Sequence, residues 1–162
     1  MRIKLGALAL GLLALTAIAI GALGAATTAS ADDPKLESAD AAIASGDHTR
    51  LPYWIKNSII ACAAKTMNER VAVVKAALRQ GYSLKEIGVR HGVRPEALER
   101  GILSCERHFL DRLVESGKLT RAEAARIYNF LQKNITRIIN FHYQPSDPVL
   151  RDAAGDETLV TG

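Results

Sequence analysis

Two helix-start motifs and three glycines divide most of this 162-residue chain into helices, and no other feature of the sequence constrains its fold as strongly. Ser83 and Thr120 each stand three residues before a glutamate, the spacing of a capping box, in which side chain and backbone satisfy each other at a helix start. Gly81, Gly92 and Gly117 can take the left-handed conformation that ends many helices. The pattern therefore predicts helix ends at the glycines and new helices after Ser83 and Thr120.

Apolar residues at steps of three and four predict four helices, over residues 54–81, 83–92, 95–117 and 120–143. Because the connecting loops are short, neighbouring helices are expected to pack nearly antiparallel. The predicted fold class is all-α, a small four-helix bundle preceded by a signal peptide and followed by a disordered tail. The predicted buried stripes are Ile55, Ile59, Cys62, Ala63, Met67, Val71, Val74 and Leu78 in the first helix, Leu98, Ile102, Cys105, Phe109 and Leu113 in the third, and Ala124, Ile127, Leu131, Ile135 and Ile138 in the fourth.

Residues 1–31 have the organisation of a cleavable signal peptide. Two basic residues precede an uncharged run over residues 5–24, and Ala29-Ser30-Ala31 matches the small-residue pattern that signal peptidase accepts. The sequence predicts cleavage after Ala31 and export to the periplasm or the medium. The alternative is an uncleaved membrane anchor, because about 20 apolar residues suffice to span a bilayer.

Charge is segregated along the remaining chain. Residues 32–52 are acidic and predicted to be a mostly flexible arm with at most a turn or two of helix, residues 53–143 form the helical domain, and residues 144–162 are an acidic, disordered tail. Residues 50–143 carry 17 Lys and Arg against 8 Asp and Glu. This surplus favours anionic partners, although plain solubility is the simpler interpretation.

The leading hypothesis is an exported interaction module that binds an anionic envelope component or a protein partner. Anchoring in the membrane is expected only if the signal segment is not cleaved. The sequence does not indicate an oligomeric state. The candidate binding surface consists of arginines expected on solvent-facing sides of the helices: Arg90, Arg94, Arg100, Arg107 and Arg112.

The two cysteines, Cys62 and Cys105, lie on predicted buried stripes of different helices. In an oxidising compartment they are expected to form a disulfide, which would stabilise the fold by about 4 kcal/mol. Two alternatives are a pair of separate buried thiols and a zinc site that adds His108. The zinc site is disfavoured because no set of four ligands has the required spacing, so no metal is predicted.

Residues 83–102 resemble a helix-turn-helix segment, with a small residue at Gly88 and a turn glycine. In a DNA-binding protein the second helix would present Arg94, Glu96, Glu99 and Arg100 to the major groove. Two acids on that face and the predicted export weaken this interpretation. A DNA-binding module is nevertheless the main alternative function.

Residues 87–139 are similar to small exported bacterial proteins of an uncharacterised helical family. Their pattern joins LGVxxExL to LDxLVxxGKLTxxQA, and residues 91–98 and 110–124 match it with His91 in place of Leu and Glu123 in place of Gln. The resemblance implies a non-enzymatic exported helical protein. The Leu-Thr-x-x-Glu element at residues 119–123 also resembles the LTxxQ element of periplasmic stress chaperones, which implies chaperone-like client binding as a further alternative.

No motif of a known catalytic class is present. The sequence lacks a Gly-rich phosphate loop, the G-x-S-x-G nucleophile elbow and the H-E-x-x-H metal motif. A cysteine nucleophile needs an exposed, activated thiolate, whereas both cysteines lie on apolar stripes. The sequence therefore predicts no enzyme activity, no catalytic residues and no cofactor.

Overall fold

The computed structural model describes residues 34–151, with side chains from residue 39 onward, and every regular element in this part is helical. The all-α class is confirmed. The predicted signal peptide, its cleavage site after Ala31 and residues 152–162 lie outside the described residues. The helices are α1 (Pro34–Ser45), α2 (Tyr53–Thr66), α3 (Val71–Arg79), α4 (Leu84–Arg90), α5 (Pro95–Glu115) and α6 (Arg121–Ile139), with 3-10 turns at His48–Arg50 and Pro148–Leu150.

Helix α5 is the centre of the fold, and it packs against α2 on one side and α6 on the other. Its apolar face contributes Leu98, Ile102 and Leu110 to the core. The predicted α6 stripe is buried over its whole length. Helices α3 and α4 pack together, α3 against α2 and α4 against α5. The largest fully buried side chains are Ile55, Ile59, Ile60, Val74, Leu78, Leu84, Leu98, Ile102, Glu106, Leu131, Ile139 and Leu150.

The prediction of one long helix over residues 54–81 is wrong, because this stretch forms two helices, α2 and α3. Asn68 takes a left-handed conformation with φ of 54°, and the Glu69 N–H donates to the Ala64 carbonyl at 2.9 Å. This is a helix-ending Schellman motif with Asn in the position usually held by Gly. The apolar spacing continues in step from Met67 to Val71, so periodicity alone does not reveal the break. The domain therefore contains five helices between Tyr53 and Ile139 rather than four.

Both predicted capping boxes are present. The Ser83 N–H donates to Glu86 Oε2 at 2.7 Å, and the Thr120 N–H donates to Glu123 Oε2 at the same distance. Each hydroxyl accepts from the backbone N–H of its glutamate in return. The hydrogen bonds from Ser83 and Thr120 lower the pKa of the two carboxyl groups. The short α4 and the long α6 therefore begin where the sequence predicts.

The acidic arm is more ordered than the sequence predicts. Helix α1 covers Pro34–Ser45, and it buries Ala39 and Ala42 in a contact with α6. Asp40 Oδ1 lies 3.4 Å from Arg126 Nη2, so one acid of the arm forms an ion pair with a basic residue of α6. The prediction of a mostly flexible arm is therefore wrong for residues 34–45. Because the side chains of Ala39 and Ala42 are small, α1 can pack closely against α6.

The first part of the predicted disordered tail belongs to the core. Val149 and Leu150 are fully buried in a 3-10 turn that packs against α2 and α3. Lys56 Nζ lies 3.3 Å from Asp147 Oδ2, and Arg79 Nη1 donates to the Leu150 carbonyl at 2.6 Å. The prediction of disorder from residue 144 is therefore wrong up to residue 151, because these two apolar residues are buried against α2 and α3.

Candidate functional site

The five candidate arginines are all exposed, but they do not form one compact patch. Arg94 is the residue directly before α5, where its side chain makes no capping hydrogen bond, and Arg112 lies in the last turn of the helix. Eighteen residues of helix separate these two, which corresponds to about 27 Å. Arg90 is at the end of α4, where its guanidinium lies 3.7 Å from the centre of the Tyr82 ring. The predicted surface is therefore an extended band.

Arg107 and Arg112 lie on opposite flanks of α5. Arg107 lines the groove between α5 and α6, where its guanidinium lies 5.6 Å from the centre of the Tyr128 ring. Arg112 lines a different groove, between α2 and α5. The two arginines therefore border different grooves on either side of α5.

Four of the eight acids within residues 50–143 accept hydrogen bonds within the fold or are buried in it. Glu86 and Glu123 accept hydrogen bonds at helix starts, Glu99 accepts one from Thr136 Oγ1 at 2.9 Å, and Glu106 is buried. The basic side chains of this region, apart from the buried Lys75, are at least partly accessible. One acid, Glu106, and one base, Lys75, are buried, so the outward surface keeps the surplus of nine basic residues that the sequence carries.

The helix-turn-helix-like segment folds as two helices, α4 and α5, joined by a short turn. A Cβ added to Gly88 would lie 3.0 Å from Leu98 Cδ2, which explains the small residue where the helices cross. Of the four residues expected to face DNA, Arg94, Glu96 and Arg100 are exposed, whereas Glu99 is half-buried and bonded to α6. The helix pair is present, but one of its four expected reading residues serves the internal packing.

Cys62 and Cys105 form the predicted disulfide, with Cα atoms 5.6 Å apart and a sequence separation of 43 residues. The bridge joins α2 to α5. Because both sulfurs are bonded to each other, neither is available as the thiolate ligand that the zinc alternative with His108 requires. Among the described side chains, no group of three or more His, Cys, Asp or Glu residues has the arrangement of a metal site.

The disulfide is one of four contacts between α2 and α5, which recur every four residues along α2. We call this contact line the α2–α5 seam. A Cβ added to Gly101 would collide with the Thr66 side chain, so the two backbones approach closely at one end. From the start of α2 the pairs are Trp54 with Phe109, Ser58 with Glu106, Cys62 with Cys105, and Thr66 with Gly101.

Glu106 is a carboxyl group buried in the α2–α5 seam, with only 1% of its surface exposed. Its Oε2 accepts a hydrogen bond from Ser58 Oγ at 3.1 Å, whereas its Oε1 has no hydrogen-bond partner. Burial raises its pKa to about 8, and the Ser58 hydrogen bond opposes this rise. The side chain is therefore mostly neutral at pH 7. Sequence analysis missed it, although an acid between Ile102 and Leu110 at steps of four was a visible signal.

An open apolar groove of about 610 Å³ lies on the outer side of the seam, and we call it the α2–α5 groove. Three aromatic side chains and the disulfide line it. Tyr53 is 46% exposed, and the buried Trp54 Nε1 has no hydrogen-bond partner. The sequence analysis did not find this groove, because Trp54 and Phe109 belong to different helices. The lining includes the aromatic residues Tyr53, Trp54 and Phe109, the basic residues Lys65, His108 and Arg112, and the acids Asp111 and Glu115.

Comparisons with known proteins do not assign the chain to a family: no family model, no curated protein and no solved structure matches it. The resemblance of residues 87–139 to exported helical proteins therefore stays a prediction. Within residues 34–151, none of the helices has both the length and the apolar character needed to cross a bilayer.

Proposed function

We propose that this protein is an exported, non-enzymatic helical module that binds an anionic envelope component through its cationic surface. The observation that carries the proposal is the state of the five candidate arginines, which are all exposed and form no ion pair with any residue from 39 to 151. They lie in a region with 17 basic residues against 8 acids. Exposed cations attract anionic headgroups and polymers, and each basic residue near an anionic membrane contributes about 1 kcal/mol.

The disulfide is compatible with export, because such bridges persist in oxidising compartments and are rare in the reducing cytosol. The extended arrangement of the arginines suits a large anionic surface better than a small anion. A surface of this kind is expected to bind with moderate affinity and to lose that affinity as salt rises.

The test is binding of the purified exported protein to vesicles of phosphatidylglycerol and phosphatidylcholine, compared with pure phosphatidylcholine vesicles. We expect binding only to the anionic vesicles, with an apparent affinity that falls at least about tenfold from low to physiological salt. A variant with all five candidate arginines changed to Gln should bind at least about tenfold more weakly. The matched control removes five other exposed charges, at Lys118, Arg121, Lys133, Arg137 and Arg151.

Equal binding by the two five-residue variants would contradict the assignment of the surface to those arginines. Failure of the wild-type protein to bind anionic vesicles or an anionic envelope extract would contradict the proposed function itself.

DNA binding is the second candidate, favoured by the α4–turn–α5 geometry and by the exposure of Arg94 and Arg100 at the start of α5. A helix-turn-helix reader would bind one duplex sequence more tightly than others, with a steep salt dependence. Sequence-selective duplex binding that exceeds vesicle binding would favour this candidate over the proposed one.

A further inference from the structure

We propose that the α2–α5 groove is a binding site for a single-chain anionic amphiphile, a molecule with one aliphatic chain and a carboxylate headgroup. This site overlaps the extended arginine band at one residue, Arg112. The volume of about 610 Å³ lies in the range of small-molecule sites, which are mostly apolar with a few polar groups at their margins.

The walls of the groove suit an aliphatic chain. The rings of Trp54 and Phe109 have their centres 6.3 Å apart and are inclined at 45°, and Ala61 and the disulfide continue the apolar lining along α2. From Trp54 to Lys65 the groove follows eleven residues of helix, about 16 Å. This elongated shape favours one extended chain over a compact ring system.

The lining holds two cations, Lys65 and Arg112, at opposite ends of the groove, and two acids, so the positions of these charges rather than their number favour an anionic headgroup. Lys65, His108 and Arg112 line this groove alone, whereas Asp111 and Glu115 also line the groove between α5 and α6. The two acids therefore lie on the outer crest of α5, and the bases lie toward α2. Neither Lys65 nor Arg112 forms an ion pair within residues 39–151, so both cations are available to a ligand.

The headgroup end is assigned to Arg112. This residue follows Phe109 by three positions, which places it one helical turn from the Trp54 and Phe109 pair. The indole N–H of Trp54, at the same end, has no acceptor. A carboxylate there would accept a charge-assisted hydrogen bond from Arg112 and, after a small shift of the ring, a second one from Trp54.

Trp54 is the only tryptophan of the chain, so its fluorescence reports directly on this groove. The test is a titration of the purified exported protein with monomeric dodecanoate, with dodecyltrimethylammonium as the probe of opposite charge. We expect a saturable change in Trp54 emission with dodecanoate, and an affinity at least about tenfold lower for the cationic probe. Absence of a saturable signal with dodecanoate, or equal affinity for the two probes, would overturn the proposal.

Two variants and one control locate the site. Ala61→Leu fills the groove without changing charge, and Arg112→Gln removes the proposed headgroup partner, so each should weaken dodecanoate binding about tenfold. Arg121→Gln removes the same charge from the groove between α5 and α6 and should leave dodecanoate binding unchanged. Circular dichroism of each variant checks the fold. Wild-type affinity in both Ala61→Leu and Arg112→Gln would place the ligand elsewhere and refute the assignment.

The vesicle assay separates this inference from the proposed function. Ala61→Leu keeps every charge, so it should bind anionic vesicles as the wild type does while losing dodecanoate. If the wild type binds dodecanoate in the groove but does not bind anionic vesicles, the groove site is supported and the proposed function is contradicted. The reverse result supports the cationic surface and refutes the groove site.

Discussion

Helix α5 packs in different ways on its two flanks. Toward α6 the contact follows the periodic apolar stripe that the sequence predicts, with Ile127, Leu131 and Ile138 buried. Toward α2 the contact depends on groups that do not follow from hydrophobic periodicity, which are a disulfide, a glycine contact and a buried carboxyl group. The α6 flank is therefore specified by a repeated apolar pattern and can tolerate single substitutions, whereas the α2 flank depends on a few individual residues.

Loss of the disulfide should have the largest effect on stability. Changing Cys62 and Cys105 to Ala together removes a cross-link between residues 43 apart, for which chain entropy predicts a loss of about 4 kcal/mol. Urea unfolding of the oxidised wild type and of the double variant measures this. A difference below about 1 kcal/mol would show that the α2 flank does not depend on its covalent bridge.

Ionisation of Glu106 should make stability fall as pH rises. Its pKa is about 8 in the folded protein against 4.5 in an exposed carboxyl, so the folded state holds a proton that the unfolded state has lost between these pH values. The contribution of Glu106 to the free energy of unfolding should therefore be greatest below pH 4.5, fall between pH 4.5 and pH 8, and level off above pH 8.

Glu106→Gln keeps the size of the side chain and removes the titration, so its stability curve should lose this slope. Unfolding by urea across the pH range measures both proteins, and Glu123→Gln is the control at an exposed cap. If the wild type and Glu106→Gln have parallel pH profiles, the carboxyl does not titrate as its burial implies.

The close approach at Gly101 should show as a coupling between two helices. Gly101→Ala places a Cβ against the Thr66 side chain, which is expected to cost about 1–3 kcal/mol despite the better helix propensity of alanine. Thr66→Ala in the same protein should restore part of the loss. A double-mutant cycle by urea unfolding measures the coupling, and strictly additive effects would argue against the contact.

The smallest effect is expected on the α6 flank. Thr120→Ala removes the capping box at the start of α6 and should cost about 1 kcal/mol, because the apolar stripe that holds the helix remains. Thermal unfolding measures the change. A loss as large as that of the disulfide variant would remove the distinction between the two flanks.

Much of the fold could be predicted from local signals. The starts of α4 and α6 follow from Ser83 and Thr120, and the disulfide follows from two cysteines on apolar stripes of a chain that is predicted to be exported. These features depend on residues close in sequence or on the chemistry of a compartment. The break after Thr66 was not predictable in the same way, because Asn68 is a rarer helix terminator than Gly and the apolar spacing continues across it.

The candidate site was less predictable because it depends on contacts between distant residues. The sequence indicates a basic middle region, but it does not show that Glu99 bonds to Thr136 or that Arg107 and Arg112 lie on opposite flanks. The α2–α5 groove combines Trp54 with Phe109, which are brought together only by the packing of α2 on α5. Val149 and Leu150 likewise become core residues only because α2 and α3 leave a gap for them.

Hydrogen exchange measured by mass spectrometry, with and without dodecanoate, tests the contrast between the flanks most directly. The ligand should slow amide exchange in α2 and in the part of α5 from Cys105 to Arg112, while exchange in α6 stays unchanged. Equal slowing in α2 and α6, or slowing confined to α6, would contradict the assignment of the ligand site to the α2 flank.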